Sequence, residues 1–358
     1  MRIGIVTFLG PYGGALQCYA LQKVLRSMGH DVYVINRKWG DYKLPKHKSL
    51  LIRLKQYIYN IINKDPFVKF YEQNYRFTQL VTSDDVLYDL GTKKYFDAII
   101  AGSDQPWNPD CIKVMGYYFY LDWVSPEVKK YAYAVSYGKA HFSALQDDME
   151  KIKSILKSYN SISVREKSGI EITKNIFNIE AQACLDPTLL LSHKDYENII
   201  FDKKHTHEYI CEFFLDPSPQ KYDLTTRIAA EEHISIINNN ILKPKKRIQR
   251  LFFHQRSISQ WLRNIRDAKY VITDSFHGTV FSIIFHKQFI SINNKKRGSA
   301  RFESLLSEID LMYRLRNIED LDFNSAYSIL KNKIDYNEVD SILDNMRISS
   351  IAFLKKIQ

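Results

Sequence analysis

Short apolar runs, each closed by a polar turn with Gly, Pro, Asp or Ser, alternate with stretches of helical periodicity along most of the chain. That pattern predicts a βα protein whose strands are buried on both faces of a parallel sheet. Strands are expected at Arg2–Phe8, Asp31–Ile35, Phe96–Ala101, Lys130–Tyr137 and Ser161–Val164, and again at Glu208–Leu215, Ile234–Ile237, Tyr270–Thr273 and Gln288–Ile292. The helices expected between them cover Ala15–Leu25, Ser143–Ser158, Pro219–Glu232 and Ile258–Arg266, with further ones opening after Arg165-Glu166 and from Thr279. Residues Leu44–Leu90 read as a helical excursion over the sheet, and Ile318–Gln358 as a helical end that packs back on the first half.

A chain of 358 residues exceeds the length at which one core keeps growing, so two domains are expected. The polar stretch Ser192–His207 is the natural boundary. The division is therefore 1–192, 193–320 and a helical segment 321–358, an α/β chain of two βα-type halves.

Composition narrows the class. Hydrophobic residues make up 45% and aromatics 13%, enough for packed cores, so the chain is not disordered. The formal charge of +11 favours anionic partners, be they phosphates, nucleic acid or an anionic membrane surface. Cys18, Cys111, Cys184 and Cys211 lie far apart without a metal-type spacing, so reduced thiols in the cytosol are expected. The chain starts on a strand rather than a signal peptide, and no apolar run is long enough to span a bilayer, so any membrane contact is expected to be peripheral, at the inner face.

Candidate chemistry gathers at the ends of strands. In Thr273-Asp274-Ser275-Phe276-His277-Gly278 a strand turns into a helix. Asp and Ser are good caps, Gly278 admits a close backbone approach, and a helix N-terminus attracts anions. His277 is the side chain there able both to donate to an anion and to move a proton near neutral pH. Capping alone would also explain the turn. Gly10-Pro11-Tyr12-Gly13-Gly14 is either a ligand loop or a plain tight turn, and Gly102-Ser103-Asp104-Gln105-Pro106-Trp107 either a ligand edge or a loop plugged by Trp107. Arg165 is placed to grip a carboxylate or phosphate in a fork, unless it pairs with Glu166. The basic residues Lys243, Lys245, Lys246, Arg247, Arg250 and Arg256 read as a segment near a phosphorylated or lipid-linked substrate, or as a solvated loop.

Taken in order, Tyr12-Gly13-Gly14-Ala15-Leu16-Gln17, Gly102-Ser103-Asp104-Gln105-Pro106-Trp107-Asn108-Pro109, Ser163-Val164-Arg165-Glu166-Lys167-Ser168-Gly169, Asp186-Pro187-Thr188, Thr273-Asp274-Ser275-Phe276-His277-Gly278-Thr279 and Arg301-Phe302-Glu303-Ser304-Leu305-Leu306 resemble the polysaccharide pyruvyltransferase family. The resemblance implies a GT-B-like fold, two Rossmann-like domains facing each other across a cleft. It also implies transfer of a pyruvyl group from phosphoenolpyruvate onto two sugar hydroxyls of a surface polysaccharide or its lipid-linked precursor, as a ketal, with release of phosphate. Two positions depart from the family pattern: Ser275 stands where many members carry Arg, and Pro11 where Asn is common.

On this reading His277 and Asp104 are the expected catalytic pair, His277 as acid and Asp104 as acceptor of a hydroxyl proton. The donor is expected to meet Arg165, Ser275, His277, Gly278, Arg297 and Arg301, and the sugar Tyr12, Gly13, Gln105 and Trp107, the two aromatics by stacking. No metal and no cofactor is called for, since arginines and helix amides meet the donor's charge, and nucleic acid is not an expected partner. The rivals are a GT-B glycosyltransferase using a nucleotide sugar and a non-enzymatic polyanion binder.

Overall fold

A computed structural model describes residues 1–37, 66–240, 255–294 and 296–357. The first part of the expected excursion and the basic run from Lys243 to Arg250 lie outside the described residues.

The first sheet is wholly parallel and runs in the order β2-β1-β3-β4-β5-β6. Its strands are β1 (Arg2–Val6), β2 (Asp31–Val34), β3 (Ala98–Ala101), β4 (Lys129–Val135), β5 (Ser161–Val164) and β6 (Gln182–Ala183). The second is parallel too, in the order β11-β10-β9-β7-β8. It comprises β7 (Tyr209–Phe213), β8 (Ser235–Asn238), β9 (Tyr270–Thr273), β10 (Gln288–Ile292) and β11 (Leu315–Arg316). The apolar runs fall where expected because helices cover both faces of each sheet, leaving every residue of β3, β7 and β9 buried. The pattern missed β6 and β11, which at two residues each are too short to show any periodicity.

Strand order decides where a ligand can sit. In the first sheet the winding reverses at β1, with β2 on one side and β3 on the other; in the second it reverses at β7, between β8 and β9. At such a point two successive loops leave in opposite directions and open a crevice at the strands' carboxyl ends. The loops after β1 and β3 therefore face those after β7 and β9, and they carry the residues singled out above.

Packing ties the halves together. Tyr12, at the N-terminal end of the helix Gly13–Ser27, stacks on Trp261 of the helix Ile258–Arg266 at 5.0 Å between ring centres and 12° between planes. The last helix, Tyr336–Leu354, returns to the first sheet. There Ser350 Oγ accepts from the Leu185 amide at 3.0 Å, Arg347 Nε donates to the Leu189 carbonyl at 2.7 Å, and Phe353 packs 6.0 Å from Tyr133. Among the described residues no helix is long and apolar enough to cross a membrane.

Phe353 is 1% exposed, so its ring is part of the core that joins the final helix to the first sheet. Phe353→Ala is expected to cost about 3–5 kcal/mol in urea unfolding, the usual range for an emptied aromatic site. A loss below about 1 kcal/mol, the scale of an ordinary surface change, would mean that the returning helix is only loosely held.

Candidate active site

The turn after β9 is assembled by its own polar groups. The Ser275 amide donates to Thr273 Oγ1 at 3.1 Å, and Ser275 Oγ accepts from the Gly278 amide at 3.3 Å, capping the helix Phe276–Ile284. The helix starts earlier than the apolar run implied, so His277 lies in its first turn, where amides have no acceptor within the helix. Asp274 is spent on structure. Its carboxylate accepts from the amides of Leu215 at 2.6 Å and Asp216 at 3.1 Å and from Lys221 Nζ at 2.6 Å, which locks the turn after β7 to the turn after β9.

Between the sheets lies a cleft of about 400 Å³. From the first domain it is lined by Pro11, Gly13, Asp104 and Gln105, and from the second by Ser275, His277, Arg297 and Arg301. Asp104 reaches across, its Oδ1 3.8 Å from Arg165 and 3.6 Å from Arg301. Gln105 Nε2 donates to the Arg297 carbonyl at 3.3 Å. Arg297 is held in a two-pronged pair by Asp216, at 2.7 and 3.2 Å, and that pairing lowers the Asp216 pKa to about 2.

Behind the cleft stands Phe276, with the Arg165 guanidinium 5.2 Å from its ring centre and that of Arg301 at 5.4 Å. Arg301 and Phe276 also line a second cavity of about 210 Å³, and Arg165 lines that one rather than the cleft proper. The Arg165 side chain is 3% exposed, paired at 2.9 Å with an Asp186 carboxylate that is 0% exposed, and also bonded to the Ser103 hydroxyl. It does not pair with Glu166, whose Oε1 accepts instead from Ser136 Oγ at 2.8 Å and the Tyr137 amide at 3.1 Å.

Asp186 stood in one of the family-like motifs but was assigned no role in the site. Its Oδ1 is fixed by the Thr188 amide at 2.9 Å and the Thr188 hydroxyl at 2.5 Å, and its Oδ2 stands 3.5 Å from His277 Nε2. Burial alone would raise its pKa, but Arg165 and His277 outweigh that and hold the carboxyl well below the ordinary range. Nothing local announces this, because the three side chains come from separate strand ends.

Several expected roles need correcting. Trp107 is fully buried, stacked 5.4 Å from Tyr120 and donating to the Phe119 carbonyl, so it plugs its loop and has no face open to a sugar. Tyr12 is likewise buried against Trp261, with its hydroxyl on the Arg256 carbonyl at 3.2 Å. Gly278 does not line the cleft and its amide is taken by Ser275 Oγ; a Cβ there would sit 2.3 Å from Thr273 Oγ1, so glycine is required for the helix to pack on its own strand. Gly13 does meet the site, since a Cβ on it would stand 2.2 Å from His277 Nδ1.

The fold and cleft define the class: two Rossmann-like domains in a GT-B arrangement, with cationic side chains and a helix N-terminus facing an acidic residue. Solved structures of this shape span nearly the whole chain. The Staphylococcus aureus MnaA–UDP co-structure matches with TM-score 0.55 at 10% identity, over 97% of this chain and 96% of that one. A Listeria monocytogenes structure described as a putative UDP-N-acetylglucosamine 2-epimerase gives 0.54 at 8%, over 98% and 96%. The UDP-N-acetylglucosamine 2-epimerase of Rickettsia bellii gives 0.53 at 10%, over 100% and 98%. At such identities the likeness is one of fold. A comparison with curated protein sequences finds no match. The family model for polysaccharide pyruvyl transferase matches residues 12–296, and the chain belongs to that family.

Burial raises the pKa of Glu166, which sits 1% exposed behind the site with its Oε2 unbonded. A raised folded-state pKa gives stability that is full below the unfolded value and is lost as pH climbs through the folded one. Glu166→Gln has no such loss. Its thermal stability relative to the wild type is expected to rise as pH increases above the ordinary glutamate range, and a difference independent of pH would show that Glu166 is not desolvated.

Proposed function

We propose that this family member takes its pyruvyl group from phosphoenolpyruvate and sets it on two hydroxyls of a glycan sugar as a ketal. The observation that carries the reading is the meeting of His277, Arg301 and the first turn of the Phe276–Ile284 helix in one cleft, with Asp104 opposite. Phosphoenolpyruvate bears its phosphate ester and its carboxylate on the same carbon. Such a donor wants several cations and unpaired amides in a small volume, which is what this end of the cleft offers. Arg301 stands in for the arginine that many relatives carry at position 275, and Arg297, already paired with Asp216, contributes at the rim.

The chemistry divides between the two walls. His277 delivers a proton to the methylene carbon while the first sugar hydroxyl bonds to the central carbon and gives its own proton to Asp104. The second hydroxyl then bonds to the same carbon, the carbon–oxygen bond to phosphate breaks, and the second hydroxyl proton leaves on phosphate. The former methylene is now a methyl, and the proton held on Asp104 balances the one spent by His277. Arg301 and the helix N-terminus stabilise the departing phosphate where its charge grows. A nucleotide-sugar transferase shares the fold, but the family match favours pyruvyl transfer.

The acceptor is proposed to be a surface polysaccharide or its lipid-linked precursor at the inner face of the membrane. A panel of soluble and lipid-linked glycans incubated with phosphoenolpyruvate is expected to yield one acceptor that gains the mass of a pyruvyl ketal, with one phosphate released per ketal. His277→Ala is expected to lower that rate about 10²–10⁴-fold, the span for losing an acid–base group, without a large change in melting temperature. Turnover of a nucleotide sugar in place of phosphoenolpyruvate, or full activity in His277→Ala, would refute the assignment.

A further inference from the structure

His277 meets two different surroundings on its two nitrogens. Nε2 is turned into the protein, 3.5 Å from Asp186 Oδ2, with no hydrogen-bond partner. Nδ1 lies over Gly13, whose missing side chain leaves that edge beside the cleft, since a Cβ there would overlap it at 2.2 Å. An imidazole shows its proton-transfer nitrogen to the substrate and is steered by whatever its other nitrogen bonds.

We infer that Asp186 is a positioning residue that directs the Nε2–H of His277 into the protein, making Nδ1 the atom that exchanges a proton with the substrate, and that the same oxygen holds Arg165. The inference rests on the donor reading above for its effect on catalysis, though not for its effect on the ring.

Three features of Asp186 fit this task. Thr188 clamps Oδ1 with an amide and a hydroxyl, so the carboxylate cannot turn away and Oδ2 has a fixed direction. Oδ2 has no hydrogen-bond partner and stands between two ion-pair contacts, Arg165 at 2.9 Å and His277 at 3.5 Å. The side chain is fully buried, so no water competes for that oxygen. The arrangement links the two walls of the cleft: Arg165 reaches Asp104 at 3.8 Å through its other terminal nitrogen, so one buried carboxylate orients the acid and steadies a cation beside the base. A carboxylate beside the far nitrogen also stabilises the ring while it carries two protons, the state from which Nδ1 can donate.

Asp186→Asn separates this role from a packing role. With its oxygen kept by Thr188, the amide group points where Oδ2 was and offers hydrogens to Nε2. The ring must then accept at Nε2 and carry its proton on Nδ1, the tautomer opposite to the wild type. In protein labelled with ¹⁵N at histidine, the His277 resonances are expected to show Nε2 protonated in the wild type and Nδ1 protonated in Asp186→Asn. In the transfer assay kcat is expected to fall about 10²–10⁴-fold, with KM for phosphoenolpyruvate also raised through Arg165. Removing the charge strands Arg165 in the interior, so Asp186→Asn is accompanied by Thr188→Val, which keeps the ion pair and loosens only the clamp. That variant is expected to stay folded, with the same ¹⁵N displacement in smaller degree and a lower kcat at unchanged phosphoenolpyruvate KM. Wild-type tautomer in whichever variant folds, or kcat within about twofold of wild type in folded Asp186→Asn, a change smaller than an acid–base role requires, overturns the inference. If the wild type transfers no pyruvyl group at all, the donor reading falls while the ¹⁵N spectra still decide the role of Asp186.

Discussion

A guanidinium taken out of water needs a counter-charge at hydrogen-bonding range, and the pair Arg165–Asp186 meets that need at the back of the cleft. Around it the other parts fall into line. Thr188 fixes the other oxygen of Asp186, and the chain reaches Asp186 just after the edge strand β6. Phe276, the first residue of the helix that carries His277, has both the Arg165 and the Arg301 guanidinium near its ring. The buried charge thus lies where the second domain's helix meets the first domain's strand ends.

Close approach of the two domains is the other constraint. Gly13 accommodates the His277 ring, and Gly298, at φ +86°, lies so near the Gly138 carbonyl that a Cβ would stand 1.8 Å from it. Glycine is required at both places, for room at one and for backbone shape and room at the other. With Gln105 bonded to the Arg297 carbonyl, the loops after β3, β4 and β10 together roof a cleft small enough to enclose a small anionic substrate.

The fold was largely legible in the sequence, because parallel strands covered on both faces appear as unbroken apolar runs, and β5, β9 and β10 fall at their expected bounds. Two-residue β6 and β11 carry no such signal. Meeting places were harder. Motifs located Asp104, His277 and Arg301 near one another, but not the direction in which Tyr12 and Trp107 point, and an aromatic beside a strand end is as readily a plug as a platform. Asp186 was invisible as a site residue because its partners Arg165 and His277 come from other strands and only folding joins them. Lys221 was missed for the same reason: its buried pair with Asp274 depends on a helix and a turn distant in sequence.

The most direct test of the account is the fate of the donor's atoms. With phosphoenolpyruvate carrying ¹⁸O in its bridging position, an acceptor glycan, and D₂O as solvent, the cleft chemistry predicts a ketal whose methyl group holds one deuterium and phosphate that retains the ¹⁸O. A product methyl without deuterium, or ¹⁸O left on the glycan, would contradict protonation at the methylene carbon followed by loss of phosphate through carbon–oxygen cleavage.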